Sequence, residues 1–464
     1  MRAIGLRLAT ALIGTLVCGA TLGCAKDEPA PLDRLLLPTG LAEDPAGTLL
    51  FVTNGNWDLS RLQSSLVVID LDALDAGLSA PRDPGQALDR DRPCRSIADS
   101  LRLECDPSLV IEPELGVRLP SGAGNIGLDR PAGEQGPLRL LIPTRLSPTL
   151  SWVDVTGAAE ADTPTALDCG QREDRFCDEA HRIRVEAEPS RITVDNQGYR
   201  YAYLPHLLFR RLTLLDLDTE FGPRIVDVEQ EFFREDELFD SGLGGGFSVV
   251  QRACDVESDN APSTTLDCVR PYMLASQRYW WGVRNFRVAP GIDVVVAGGD
   301  STVIGPNLEA AEPKPLMGGM AFEDPEIGNR LLVVHTTPPA LSRVDTSLND
   351  AGNPRVDVLD TLSLCGNPNL IVVHRPADTG GGGPPLAAIS CYGSDQVAIV
   401  DLNLFRVVET IDVGDGPNEL LLDALRGYLF VANTAESTIS IIDLDPTRVT
   451  YLSELATLGL NAPR

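Results

Sequence analysis

The chain has 464 residues, with 67 Asp and Glu against 38 Lys and Arg, for a formal net charge of -29. A surface this acidic repels phosphate backbones instead of releasing their counterions, which excludes nucleic acid as a partner. Length alone permits two to four ordinary domains or a single repeat architecture, so internal repetition has to decide.

At the N-terminus, Arg2 and Arg7 precede an uncharged run from Leu8 to Gly23. The run is shorter than the ~20 apolar residues that span a bilayer and reads as a secretory signal. Its end, ATLGC, resembles the bacterial lipoprotein signal, in which a small residue precedes a cysteine that is lipidated and becomes the mature N-terminus. Gly23 and Cys24 fit; Thr21 departs from the usual aliphatic residue, and ordinary cleavage after a small residue such as Ala25 is the alternative. The resemblance implies an anchor at Cys24, each buried methylene contributing roughly 0.8 kcal/mol. With Ala25 instead of Asp after that cysteine, it also implies sorting to the outer membrane, facing the periplasm or the exterior.

Setting aside Cys18 and Cys24, eight cysteines fall as local couples: Cys94 with Cys105, Cys169 with Cys177, Cys254 with Cys268, and Cys365 with Cys391. Eight cysteines allow 105 pairings, of which this sequential one closes short loops and is the expected one. Disulfides imply an oxidising compartment, and each contributes on the order of 2–4 kcal/mol by restricting the unfolded chain. A structural zinc site would need closer cysteine spacing with His partners.

One phrase recurs along the chain: an apolar strand, a polar turn, and a second apolar strand ending in Asp. It reads LLFVTN with SSLVVIDLD, LRLLIPT with TLSWVDVT, YRYAYLP with RRLTLLDLD, RLLVVHT with ALSRVDTS, LAAISCY with DQVAIVDLN, and GYLFVAN with STISIIDLD. Before several copies stands a Pro, then an apolar strand closing with Asp and Gly, as in PTGLAEDPAG, PSRITVDNQG and PNELLLDALRG; a further strand follows the Asp. Four short strands per unit bounded by turn residues is the content of a propeller blade. The closing residues are Asp70, Asp154, Asp216, Asp345, Asp401 and Asp443, at spacings of 84, 62, 129, 56 and 42. The spacing of 129 is about twice its neighbours and hides one blade, supplied by VRPYMLASQRYWWGVRNFRV. The expectation is an all-β, seven-bladed propeller of four-stranded antiparallel blades over residues 34–464, behind a signal peptide (1–23) and a tether (24–33). The repeated Asp is expected to accept turn N–H groups, not to ring a metal.

The phrase resembles the YVTN β-propeller repeat, best over residues 366–455, through GNPNLIVV, AIVDLN, VVETIDVGDGPNEL and LFVANTAESTISIIDLD. The resemblance implies the fold; it leaves function open among adhesins, surface proteins, lactonase-like enzymes and metal or quinone redox enzymes.

In a four-stranded meander, the A–B and C–D loops lie on one face, while the B–C loops and the links between blades lie on the other. The segments holding Cys94/Cys105, Cys169/Cys177 and Cys254/Cys268 and the TGGGGPP run all map to the first face, as a possible partner-binding surface; Cys365 and Cys391 map to the second. That second face collects the ends of strand B, so Asn54, Trp57, Arg145, His206, His335, Tyr392 and Asn433 are candidate ligand residues around a channel mouth. Tyr279, Trp280 and Trp281 read as core, and the runs GLGGG and TGGGG as flexible loops that match no phosphate-binding pattern.

No catalytic residue, metal ligand or cofactor is assigned: there are four histidines, and no C-x-x-C-H, G-x-S-x-G or H-E-x-x-H motif. The reading is a monomeric, lipid-anchored binding or scaffolding module at the cell envelope with a protein partner. The alternative is an exported lactonase-like hydrolase working at the channel mouth. How the ring closes stays open, since the stretches 32–38 and 449–455 each offer an outermost strand.

Overall fold

Strands B and C of most repeats are apolar at consecutive positions, and the structure, a computed structural model, shows why: both faces of each sheet are covered by neighbouring sheets. It describes residues 28–459 except 81–86, 98–99, 131–136, 158–164, 196–199, 220, 234–243, 254–271, 281, 290–291, 296–301, 304–315, 351 and 377–382. Seven antiparallel blades form a propeller. Blade one runs Pro38–Glu43, Leu49–Asn54, Ser64–Asp70 and Val117–Leu119 from inside to outside, and blade seven Pro417–Asp423, Tyr428–Asn433, Thr438–Asp443 and Ser453–Leu458. The hidden blade is present, with Met273–Gln277 and Gly282–Ala289 as its strands B and C.

Seven apolar clusters fill the seven joints. In blade one, Leu50 and Val52 point to blade seven, whereas Phe51 points to blade two. This alternation is the period of a strand, but with a hydrophobic partner on each side it reads as a continuous apolar run. At the inner strands the blades approach so closely that a Cβ on Gly40 would stand 2.5 Å from the Gly124 carbonyl oxygen.

The repeated Asp is a turn residue. Asp216, Asp345, Asp401 and Asp443 each accept a backbone N–H two positions on, at 2.8–3.0 Å, and Asp70 caps the helix Leu71–Ser79. Asp154 differs: it pairs with Arg139 of the adjacent strand at 2.6 Å.

Among the described residues no strand is exchanged between the ends of the chain. Ser453–Leu458, overlapping the stretch 449–455, supplies the outer strand of blade seven, and the stretch 32–38 crosses the mouth face instead. Closure comes from an insertion. Between strands C and D of blade one, a hairpin of Cys94–Ser96 and Leu103–Cys105 leaves its own blade and adds Leu103–Cys105 in parallel to Ala456–Leu458 of blade seven. Arg102 reinforces it, bonding Thr457 Oγ1 through Nε (3.0 Å) and pairing with Glu454 (2.9 Å). A second excursion does the same one blade along. The outer strand of blade two is split into Ala166–Asp168 and Arg182–Arg184, both pairing with Thr149–Thr156; the residues between reach back to blade one. There the Arg118 N–H donates to the Arg175 carbonyl (2.8 Å) and the Arg118 carbonyl accepts the Cys177 N–H (2.9 Å), around a parallel Arg118–Phe176 bridge.

Three expected cysteine pairs are at bonding distance, with Cα separations of 4.0 Å (Cys94–Cys105), 4.8 Å (Cys169–Cys177) and 5.8 Å (Cys365–Cys391). Cys254 and Cys268 lie outside the described residues. The first two pairs correct the expected decorated face: they clip straps that wrap the rim of the ring, the Cys169–Cys177 loop interrupting strand D instead of joining C to D. The physical reason is that an outer strand leaves unpaired backbone groups, and the straps satisfy them.

Candidate functional site

In blades one, three, six and seven the start of strand A carries the phrase Pro-x-x, which places two side chains at the axis. The second positions, Thr39, Ser190, Asn369 and Asn418, line a depression of about 600 Å³ on the face of the B–C turns. The third positions face the channel below it. Arg191 of blade three and Glu419 of blade seven, equivalent in the repeat, meet across the axis in a bidentate pair of 2.6 and 2.8 Å. Glu419 is almost fully buried. Fork-to-fork geometry of this kind makes a buried pair tolerable and orients both groups. The pair forms a floor between the mouth and a narrower space of about 170 Å³ beneath.

The wall is aromatic and cationic. The Arg145 guanidinium lies 5.2 Å from the Trp57 ring and bonds Glu188 at 3.0 Å through Nε. Arg278 lies 4.8 Å from the Phe247 ring and donates to neutral oxygens, the Met317 carbonyl and Thr336 Oγ1. Among the described residues it pairs with no carboxylate. Burial pushes Arg278 down to about 10; Tyr279 opposes this and the Arg145 charge adds to it. Tyr392 completes the lining, half-exposed, with Asn125 held to the next blade by two bonds to Ile192 (3.0 and 3.1 Å).

The candidate ligand residues thus separate into two groups. Trp57, Arg145 and Tyr392 line the mouth. Asn54, His206, His335 and Asn433 do not; each is buried and pegs strand B to a hydroxyl of strand C. The bonds are Asn54 to Ser65 (3.0 Å), His206 to Thr213 (2.8 Å), His335 to Ser342 (2.9 Å) and Asn433 to Ser440 (2.9 Å). Burial pushes both histidines down to about 4, so they are neutral near pH 7. Cys391 occupies the same repeat position and uses it for its bond to Cys365. Last residues of strand B are pegs, and the residues just beyond them are wall.

Sequence reasoning missed Arg191, Arg278, Phe247, Asn125, Asn369 and Asn418. The signal was there for half of them: in PSRI, PNLI and PNEL, which hold Arg191, Asn369 and Asn418, the residues after Pro vary in chemistry while the apolar positions do not, which is what an axial lining looks like.

No protein-family model matches the chain, and a search of curated proteins finds no relative. Among solved structures, the periplasmic gluconolactonase PpgL of Pseudomonas aeruginosa is similar at 12% identity and a TM-score of 0.48, over 82% of this chain and 87% of that one. A candidate 6-phosphogluconolactonase of Bacteroides uniformis matches at 14% identity and a TM-score of 0.49, over 70% and 84%. The dihydro-heme d1 dehydrogenase NirN matches at 14% identity and 0.48, over 97% and 72%. At these identities and scores the neighbours define no function for the chain. What stands is a seven-bladed β-propeller with a cationic, aromatic-walled mouth.

Proposed function

We propose that the protein is an exported YVTN-type propeller, lipid-anchored through Cys24 at the bacterial outer membrane, whose binding role is exercised at the channel mouth on a small organic anion. The observation that carries this is Arg278, a largely enclosed guanidinium with only neutral partners among the described residues, opening onto a cavity beside Arg145. In a chain of net charge -29, an uncompensated enclosed cation is costly unless something anionic completes it. Trp57 and Tyr392 supply flat apolar surface for the body of such a ligand, and the paired Asn369 and Asn418 (3.0 Å) supply amides for its hydroxyls. An envelope protein partner belongs to the same binding role. Hydrolysis is less well supported: of the described lining residues Asp58 is the one carboxylate, and the buried histidines are bound elsewhere.

The test is calorimetric titration of the full-length protein with sugar acids, sugar phosphates and aromatic carboxylates. At least one should bind, with affinity falling on addition of salt and dropping about 10- to 100-fold in Arg278→Met, the range expected for a lost charge-assisted bond. Equal binding by wild type and variant, or binding of no anion, overturns the reading. Turnover of a lactone abolished by Asp58→Asn would replace it with the hydrolase.

A further inference from the structure

The route of the chain into blade one fixes which face of the propeller meets the membrane. Residues 28–37 do not hang free below the ring; they cross the mouth face radially. Glu28 is pinned at the outer rim, where its carbonyl accepts the Leu62 N–H (3.1 Å) and its carboxylate pairs with Arg61. Ala30 is buried, its carbonyl taking a bond from Arg118 Nε (2.9 Å). The Leu36 N–H then bonds Asn54 Oδ1 (2.9 Å), and Pro38 begins the inner strand at the channel. Only Ala25, Lys26 and Asp27 separate Glu28 from Cys24. Even fully extended, four residue steps span about 14 Å. An acylated Cys24 therefore holds the mouth-side rim of blade one within a headgroup's depth of the lipid surface.

We infer that the mouth face is the membrane-facing side, with the B–C turns of blades one to three resting on a lipid surface. The inference rests on the lipid-anchor reading of Cys24. The turns carry suitable side chains: Leu59, Leu62, Leu146 and Phe209 are 50, 51, 45 and 42% exposed and belong to three adjacent blades. Apolarity alone does not choose this face, since Leu425 and Val449 are exposed on the other. Charge leaves the choice of face to the tether. On the B–C turns of blades one to three the arginines are matched, Arg61 by Glu28, Arg145 by Glu188, Arg210 by Glu231 and Arg211 by Glu186. The strand-end carboxylates of the opposite face are matched in their turn, Asp216 by Arg224, Asp423 by Arg426 and Asp443 by Arg448. A mouth held in this way opens along the lipid surface, so its anion arrives from the interfacial layer instead of from bulk solvent.

The experiment places the photo-crosslinker p-benzoylphenylalanine, one site at a time, at Leu146, Phe209, Leu425 or Val449 of the full-length protein in the producing cell. Each sample is irradiated and the labelled peptides are weighed together with the N-terminal peptide. The expected result is phospholipid adducts at positions 146 and 209, loss of them at 425 and 449, and an acylated Cys24. Acylated Cys24 with adducts at 425 and 449, or at no site, overturns the orientation and leaves the anchor intact. An unacylated N-terminal peptide overturns the anchor and the orientation with it, whatever the adducts.

Discussion

The sector from blade seven to blade two and the sector of blades five and six are built from the same repeat but finish their outer edges differently. In the first, the outer strands of blades seven and one each receive an extended segment from the following blade, clipped by a disulfide. In the second, the outer strands Asp357–Ser363 and Arg406–Asp412 are exposed almost throughout and, among the described residues, pair with no further strand. The difference follows from what each sector has to hold. Blades five and six are joined to their neighbours by continuous chain, whereas the joint between blades seven and one has none. It is the weak point of a ring that exchanges no strand. Here the strap from blade one bonds to blade seven, Arg426 reaches from blade seven to Gly47 and Asp72 (both 2.7 Å), and Tyr428 donates to Asp75 (3.1 Å).

The largest effect should come from pulling the strap away. Leu103 is 3% exposed and packs with Leu455, Ala456 and Leu458 in the joint. Leu103→Asp places a charge there without a partner and should cost more than about 3 kcal/mol, opening the ring. Val408→Asp, on the bare outer strand of blade six, should cost under about 1 kcal/mol. Urea titration of both variants measures the contrast; equal losses would mean the strap is decoration.

Disulfides sharpen the comparison because two explanations of their value diverge. If restricting the unfolded chain were everything, Cys365–Cys391, with a separation of 26, should outweigh Cys94–Cys105, with 11. By that account Cys391→Ser costs about 3.5 kcal/mol and Cys105→Ser about 2.7. The strap adds a consequence of another kind: a loosened hairpin bares the outer edge of blade seven, and bare edges pair with other chains. Cys105→Ser should therefore self-associate in light scattering on mild warming, while Cys391→Ser only melts earlier. Association of both variants, or of neither, removes the special role of the strap.

The sequence made the blades legible wherever both faces of a strand are buried, because burial on both sides leaves a run such as LFVAN or AIVD with no ambiguity. Even the blade without its Asp was found, through spacing. The straps were not legible. Cys94–Ser96 and Leu103–Cys105 are three residues each, and their order comes from pairing with Ala456–Leu458, some 350 positions away in the chain, a contact that no local propensity encodes. The mouth was half legible for a related reason. A polar residue closing strand B has one repeat position and two possible duties, and only the hydroxyl opposite it on strand C reveals that Asn54, His206, His335 and Asn433 are pegs.

The smallest effect tests the joint through a proton. Glu43 stands where blade seven has Leu422, one position before the turn residues Asp44 and Asp423, at the joint of blades one and seven. Burial first, and then the negative charge of Asp423, pushes its carboxyl up to about 7, with Arg426 opposing. An acid whose folded pKa lies above its unfolded value binds its proton more tightly in the fold, so its stabilisation is complete below the unfolded value near 4.3 and is lost as pH rises through 7. The joint should thus be firmer at pH 5 than at pH 8. Glu43 is partly exposed, and after allowance for solvent screening the difference should be on the order of 1 kcal/mol. Glu43→Gln keeps the shape and removes the titration, so the gap between wild type and variant, followed by thermal melting from pH 5 to 8, should open in the variant's favour as pH rises. A constant gap would place the Glu43 proton outside the closure of the ring, and would leave the strap and Arg426 as its fastenings at every pH.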